Sequence, residues 1–396
     1  MHLLFALACA APGTPADTGD APPGPDTRPW TFAVFLNGDN DLEDYVLHDL
    51  NELELGGASN GAHVVVQADR IEGYDDSDGD WTGARRYTIV QDDDPDAVVS
   101  PVVEELGEVD MGDPAVLTEF IAWVDANYPS ERLALVLWNH GDGWLATGNP
   151  PGAISYDDTT GTVIGVADGG LTRALSARVP EHGPVDLLAF DGCNMGAYEV
   201  VYALRGVVEV ASVSQSWVGW EGLQYTPALE TLRETPDIST ADFADALAYD
   251  AVTRGAERTW SAVDVAAMDD VAAELDALTT HIRQTPDPVA TFQALRRGTA
   301  TTDPAWHDWY LDLGDLAAVA QGTPSIGADA APLQAALDAA VIGAYGDDRF
   351  GWTNGLTVFG ATDDASWLAL YGSGPWAEAS AWDELLHQVH MGEVGF

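Results

Sequence analysis

Lysine is absent from this chain. All 15 basic residues are arginine, against 65 aspartates and glutamates, and the formal net charge is −50. That balance argues against nucleic acid as a partner, because a polyanion would be repelled by most of the surface. It argues equally against binding an anionic membrane through surface charge. A basic ligand or substrate is compatible with it, and so is a solvated acidic coat suited to a salty or extracellular setting. Cysteine is scarce: Cys9 and Cys193 lie in unlike contexts and give no disulfide framework. The nine histidines show no metal-ligand spacing. Past the first residues, no run approaches the roughly 20 apolar residues that span a bilayer.

What is present is ample for a folded core, with 46% hydrophobic residues among 396. That length admits two or three domains, or one large α/β domain with a helical extension. The first nine residues end in Leu3-Leu4-Phe5-Ala6-Leu7-Ala8-Cys9. An apolar run ending in small residues before a cysteine is similar to the close of a bacterial lipoprotein signal, which is cut there and acylated on the cysteine. The run is short, Ala6 stands where leucine is usual, and no basic residue precedes it, so a plain secretion signal is the other reading. Lipidation at Cys9 and an extracytoplasmic location are expected. Residues 10–29, rich in Pro, Gly, Asp and Thr, read as a flexible tether.

From Trp30 the pattern alternates. Short apolar runs at 31–36, 63–68, 85–90, 133–138, 185–190 and 207–213 read as strands, with helices between them. This predicts an α/β fold, a mostly parallel sheet with helices on both faces. We place a catalytic α/β domain at 30–240. A helix-rich C-terminal region at 241–396 follows, with helices at 241–254, 265–284, 288–298 and 329–345 and a late strand at 355–359.

Two of the strands end in reactive residues. Leu133–Trp138 leads into Asn139-His140-Gly141-Asp142-Gly143, and Val185–Phe190 into Asp191-Gly192-Cys193-Asn194. Sites in open α/β sheets form outside the carboxyl ends of strands, which sets His140 beside Cys193. A thiol next to an imidazole suits nucleophilic chemistry, and a following helix N-terminus is expected to lower the thiol's pKa. Either residue alone is as readily a packed strand-end side chain. The amides of Gly141 and Cys193 are candidates for holding an oxyanion.

The chain also resembles the clostripain family of cysteine peptidases, which has a caspase-like fold. The resemblance rests on landmarks in family order: Asn37-Gly38-Asp39-Asn40-Asp41-Leu42-Glu43, Val64-Val65-Val66-Gln67 with Asp69-Arg70, Trp81–Tyr87, Asn139–Trp144, Tyr156-Asp157-Asp158, Phe190–Gly196 with Glu199, Leu311-Asp312-Leu313, and Gly355–Val358. It implies an endopeptidase acting through a Cys193/His140 dyad and an acyl-enzyme, cutting after a basic residue. It also implies that Asp191 is a pocket acid. The pocket wall is expected at 212–221, with Ser212, Ser214 and Glu221 as substrate-binding candidates. Ser214 stands where relatives carry an acid.

Two further expectations follow. Relatives are commonly cut between the dyad members, but the segment from Trp144 to Leu171 contains no arginine, so this chain is expected to work uncut, as a monomer. The chemistry needs no cofactor, yet calcium is an open question in the family. Asp76-Ser77-Asp78-Gly79-Asp80 offers alternating carboxylates through Asp76, Asp78 and Asp80, without an EF-hand layout; a solvated turn is the other reading. Against the peptidase stands a surface-anchored binding protein on a peptidase-like scaffold. A third reading is a peptidase with a shifted preference.

Overall fold

In the computed structural model, β1 (Arg28–Gly38) is buried throughout from Trp30 onward. Its side chains alternate, as a strand requires. Phe32, Val34 and Leu36 enter one apolar cluster and Ala33 and Phe35 the other. A strand buried on both faces belongs in the middle of a sheet, and β1 lies there. The structure describes residues 26–95, 97–144, 153–303 and 307–394. Cys9, the signal segment and most of the 10–29 tether fall outside them.

The remaining strands are β2 (Ala62–Arg70), β3 (Gly83–Thr88), β4 (Val102–Gly107), β5 (Ser130–Trp138), β6 (Ala153–Asp157), β7 (Thr162–Gly165), β8 (Val185–Asp191) and β9 (Val208–Val213). After them come β10 (Thr259–Asp264), β11 (Thr301–Asp303), β12 (His307–Asp312), β13 (Val341–Gly346) and β14 (Thr357–Phe359). Nine form one sheet in the order β13-β10-β9-β8-β5-β1-β2-β3-β4. The five central strands, β9 to β2, run parallel. Each edge adds an antiparallel pair, so the sheet is mixed, with a parallel core.

Helices cover both faces. Glu43–Gly56, Tyr225–Glu234 and Thr240–Thr253 pack on the side of Phe32 and Val34. Pro114–Asn127, Gly170–Ser176, Met268–Gln284 and Gly327–Ala340 pack on the other. Pro114–Asn127 begins with Asp113 accepting from the Ala115 amide and with Pro114 in the first turn, where no helical N–H is lost.

The sheet crosses the division expected at residue 240, because β10 and β13 come from the C-terminal region and complete its edge. β10 was not expected: it is six residues long and sits between helical stretches. The helix expected over 329–345 ends at Ala340. Val341-Ile342 open β13 instead, where β-branched side chains and a ladder partner outweigh helical propensity.

Candidate active site

Register brings the two reactive residues together. In the β5–β8 ladder Trp138 stands opposite Asp191, and the Asn139 amide donates to the Asp191 carbonyl at 3.1 Å. His140 and Cys193 each lie two residues further on. Both line one cleft of about 810 Å³. Gly141 permits the close approach: a Cβ there would lie 2.6 Å from the Cys193 carbonyl oxygen and 3.0 Å from its nitrogen. Asn194 has φ 61°, a left-handed conformation that turns the chain directly after the thiol.

Cys193 is partly buried, and its Sγ accepts from the Val218 amide at 3.3 Å. The helix after it, Tyr198–Ala203, starts five residues on and is six residues long. It does not deliver the expected depression of the thiol pKa. Burial pushes the thiol up to about 11. Asp142, Glu257 and Asp191 act in the same direction, opposed by the Val218 amide.

His140 stands at the cleft's open side, with 43% of its side chain exposed. Its Nε2 lies 2.7 Å from Asp41 Oδ1, and its ring meets Tyr156 edge to face at 6.2 Å. Three asparagines at strand ends hold Tyr156 in place. Asn37 and Asn40 donate to its carbonyl, at 2.9 and 2.8 Å, and Asn139 Oδ1 accepts from its amide at 2.7 Å. The Tyr156 hydroxyl donates to Asp142 at 2.5 Å.

The far side of the cleft comprises Trp217–Gly222 and Gly255–Arg258. Asp191 is 5% exposed and accepts from the Tyr225 hydroxyl at 2.8 Å and the Leu223 amide at 3.1 Å. Burial lifts it to about 6 despite those donors. Gly222 (φ 48°) lies against it, and a Cβ there would sit 2.4 Å from Asp191 Oδ1. Glu257, which sequence reading missed, lines the same cleft and accepts from the Gly219 amide at 2.7 Å. Burial raises it to about 7. Glu221 lines the cleft from an exposed position. Trp220, 68% exposed, stacks on Tyr45 of Glu43–Gly56 at 4.9 Å and ties the 217–222 segment to that helix.

Ser212 and Ser214 are not in the cleft, which corrects the expected pocket wall. Both are fully buried. Ser212 Oγ accepts from Trp260 Nε1 at 2.9 Å, and Ser214 donates to the Thr259 carbonyl at 2.8 Å. Both strand-end hydroxyls are taken up by β10, which sequence reading had not recognised. No local signal marks Glu257, since it precedes that same strand. Asp41 was visible within the Asn37–Glu43 landmark, but its pairing with His140 depends on a fold contact across 99 positions.

Asp76, Asp78 and Asp80 lie in an exposed loop, with Asp78 and Asp80 both at φ 51°. Their carboxylates do not converge, so this loop is corrected to a solvated turn. Among the described residues, the one set of acids that does converge is Asp39, Asp69, Glu108 and Asp157.

Fold and site together define a caspase-like α/β protein with a cysteine and a histidine at one cleft. The family model of clostripain-type peptidases matches residues 34–386, and the chain belongs to the clostripain family. It is 30% identical to clostripain of Hathewaya histolytica over 220 residues, which cover 51% of this chain and 42% of that relative. The chain therefore spans less than half the length of that curated relative. Among solved structures it is similar to an inactive zymogen C11 protease of Parabacteroides distasonis, with TM-score 0.67 and 19% identity over 90% of this chain and 99% of that one. It is also similar to a secreted C11 cysteine protease of Bacteroides thetaiotaomicron solved with an irreversible peptide inhibitor, with TM-score 0.65 and 21% identity over 90% and 99%. At these identities the structures speak for the fold.

Proposed function

We propose that the chain is a secreted cysteine endopeptidase that cleaves after arginine or lysine. The observation that carries this reading is one cleft holding Cys193, His140 and an acidic far wall. Asp191 and Glu257 lie at that wall beside the thiol, and Glu221 stands at its rim. A guanidinium or ammonium there gains charge-assisted hydrogen bonds, and its charge favours the ionised carboxylates. The peptide inhibitor bound by the Bacteroides relative supports a peptide substrate.

The resting thiol is neutral at physiological pH. Attack of Sγ on the scissile carbonyl therefore requires its proton to leave as the C–S bond forms, and His140 is the acceptor. Asp41 takes the Nε2 proton's hydrogen bond, which leaves the lone pair on Nδ1. The amides of Gly141 and Cys193 stabilise the oxyanion. When the C–N bond breaks, His140 protonates the departing amine. It then takes a proton from the water that hydrolyses the acyl-enzyme, and the thiol is restored. The residues of this chain carry these steps without a cofactor.

We further propose export with an acyl anchor on Cys9, and a monomeric, uncut enzyme. Incorporation of labelled palmitate that is lost in Cys9→Ala checks the anchor. Fluorogenic peptides ending in Arg, Lys, Asp or Leu, given to the full chain and to Cys193→Ala, test the activity. Turnover of the Arg or Lys peptides that vanishes in the variant supports the reading. Turnover of the Asp or Leu peptides alone moves the specificity elsewhere. The raised thiol pKa favours a second reading, a binding protein on this scaffold. Failure to hydrolyse any of the peptides, with tight retention of Arg-terminated ones, would support it.

A further inference from the structure

One residue engages the Cys193 thiol twice. The Val218 amide donates to Sγ at 3.3 Å, and Sγ donates to the Val218 carbonyl at 3.8 Å. Among the described residues the thiol proton therefore has an acceptor other than His140, whose Nε2 is engaged with Asp41. At rest the nucleophile is tied to the far wall of the cleft rather than to the residue that must take its proton.

The Val218 carbonyl and the Gly219 amide belong to one peptide unit, and a trans peptide points them in opposite directions. On its other side that unit meets Glu257: the Gly219 amide donates to Glu257 Oε2 at 2.7 Å. The Gly222 amide acts on the same carboxylate. One peptide plane thus stands between the thiol and an acid that is 3% exposed, and it cannot turn without breaking a hydrogen bond at each side. The chain around it is anchored separately. The Asn194 amide donates to the Ser216 carbonyl at 2.9 Å, Trp220 stacks on Tyr45, and the Leu223 amide donates to Asp191. These fixed points leave the Val218–Gly219 unit as the part that can rotate, and a glycine at its second position lowers the cost of rotation.

Glu257 also lines the cleft. We propose that it is a positioning residue: through the Val218–Gly219 peptide it keeps the thiol dormant, and the cationic side chain of a substrate draws its carboxylate away and frees Sγ for His140. The proposal rests on the reading of the cleft as one for a basic residue. A guanidinium offers the carboxylate a forked pair of bonds and an opposite charge, against a single bond from a neutral amide. Of the charged groups acting on Glu257, Asp191 opposes its ionisation and Arg258 favours it. A substrate cation beside both acids offsets their repulsion, which the Gly219 amide cannot do. Selection would then act on the reactivity of the thiol as well as on binding, so that a chain without the basic side chain meets a nucleophile still locked.

The test reads the thiol itself, in the full chain and without a peptide substrate. Alkylation of Cys193 by iodoacetamide at about pH 7.5 is followed by mass spectrometry, with and without agmatine, a guanidinium that carries no scissile bond. Calorimetry sets the saturating agmatine concentration for each variant. Agmatine should speed alkylation at least about tenfold, and neutral valeramide should leave it unchanged. Glu257→Gln keeps an acceptor for the Gly219 amide and loses the charge. Its resting rate should stay within about threefold of wild type, and agmatine should add less than about twofold. Glu257→Ala loses the acceptor as well. It should react at rest at least about tenfold faster than Glu257→Gln, with little added by agmatine. Both variants lose the same charge, so the difference between them reports the peptide rather than the field at the thiol. Undiminished acceleration by agmatine in Glu257→Gln would overturn the proposal, since the cation's charge alone would account for it; this arm stands even if Glu257→Ala does not fold. Equal resting rates in the two variants would also overturn it. Failure of the wild type to bind agmatine would instead remove the basic-residue reading and the trigger with it, while the ratio of the two resting rates still decides the clamp.

Discussion

The thiol of Cys193 is the residue whose behaviour departs most from a first reading of the sequence. A nucleophile at a helix start suggests an acidic thiol. Here the helix is short and distant, and burial among carboxylates lifts the pKa to about 11. Alkylation of the substrate-free protein by iodoacetamide should therefore be slow at neutral pH. It should climb about tenfold per pH unit up to about pH 10, because only the thiolate reacts. A plateau near pH 8 would contradict this. On the proposed function, the acids of the cleft make the opposite demand on substrate. Asp191 and Glu257 titrate at about 6 and about 7 in the free protein and must be ionised to hold a cationic side chain. KM for an Arg-terminated peptide should fall as pH rises from about 5 to about 8. Asp191→Asn should reduce kcat/KM for that peptide by about 100-fold, roughly 3 kcal/mol, because it removes one partner of a buried ion pair. Steady-state kinetics on Arg and Leu peptides would separate this from a general loss.

At the level of elements, the strands that carry the chemistry were legible, because continuous apolar runs ending in Asn-His-Gly and Asp-Gly-Cys have few other readings. Register then placed His140 beside Cys193 with no further information. Among the strands missed, besides the short β4, β6, β7, β11 and β12, were β10 and β13, which complete one edge of the main sheet and are embedded in alanine-rich sequence that favours helix. Missing β10 also put Ser212 and Ser214 in the expected pocket wall, whose later part, Trp217–Glu221, does line the cleft. Ser212 and Ser214 serve that strand, and Glu257 precedes it, so no local pattern could have revealed their roles. Likewise, Asp39, Asp69, Glu108 and Asp157 are far apart in sequence and meet only because four strands end at one place. Two features of the 217–222 segment carry a further prediction. Gly222 has a positive φ and no room for a Cβ against Asp191. Gly222→Ala should cut kcat/KM for Arg peptides by at least about tenfold while lowering the thermal midpoint only a few degrees. A midpoint fall of tens of degrees would mean the segment is structural rather than part of the pocket.

Over the whole molecule acidic residues outnumber basic ones by 65 to 15. With a net charge of −50, attraction of basic peptides extends beyond the cleft and is screened by salt. Raising sodium chloride from about 0.05 to about 0.5 M should lower kcat/KM for an Arg-containing peptide by roughly threefold to tenfold, mainly through association. A neutral peptide should respond little. Stability should follow the buried acids. Burial holds Asp49, Glu199 and Glu257 at about 7, above their ordinary values of 3.8, 4.5 and 4.5, so the folded state binds their protons more tightly than the unfolded state. Their contribution is full below about pH 4 and is lost as pH rises through about 7. Urea midpoints should accordingly decline between about pH 5 and about pH 8. Chain order adds a consequence of the sheet's construction. Translation delivers His140 and Cys193 well before Glu257 and β10, and β13 later still. A ribosome-bound chain therefore displays both reactive side chains while the sheet edge and the second pocket acid are unmade. On the proposed function, cleavage after a basic residue therefore becomes possible only once the chain is complete.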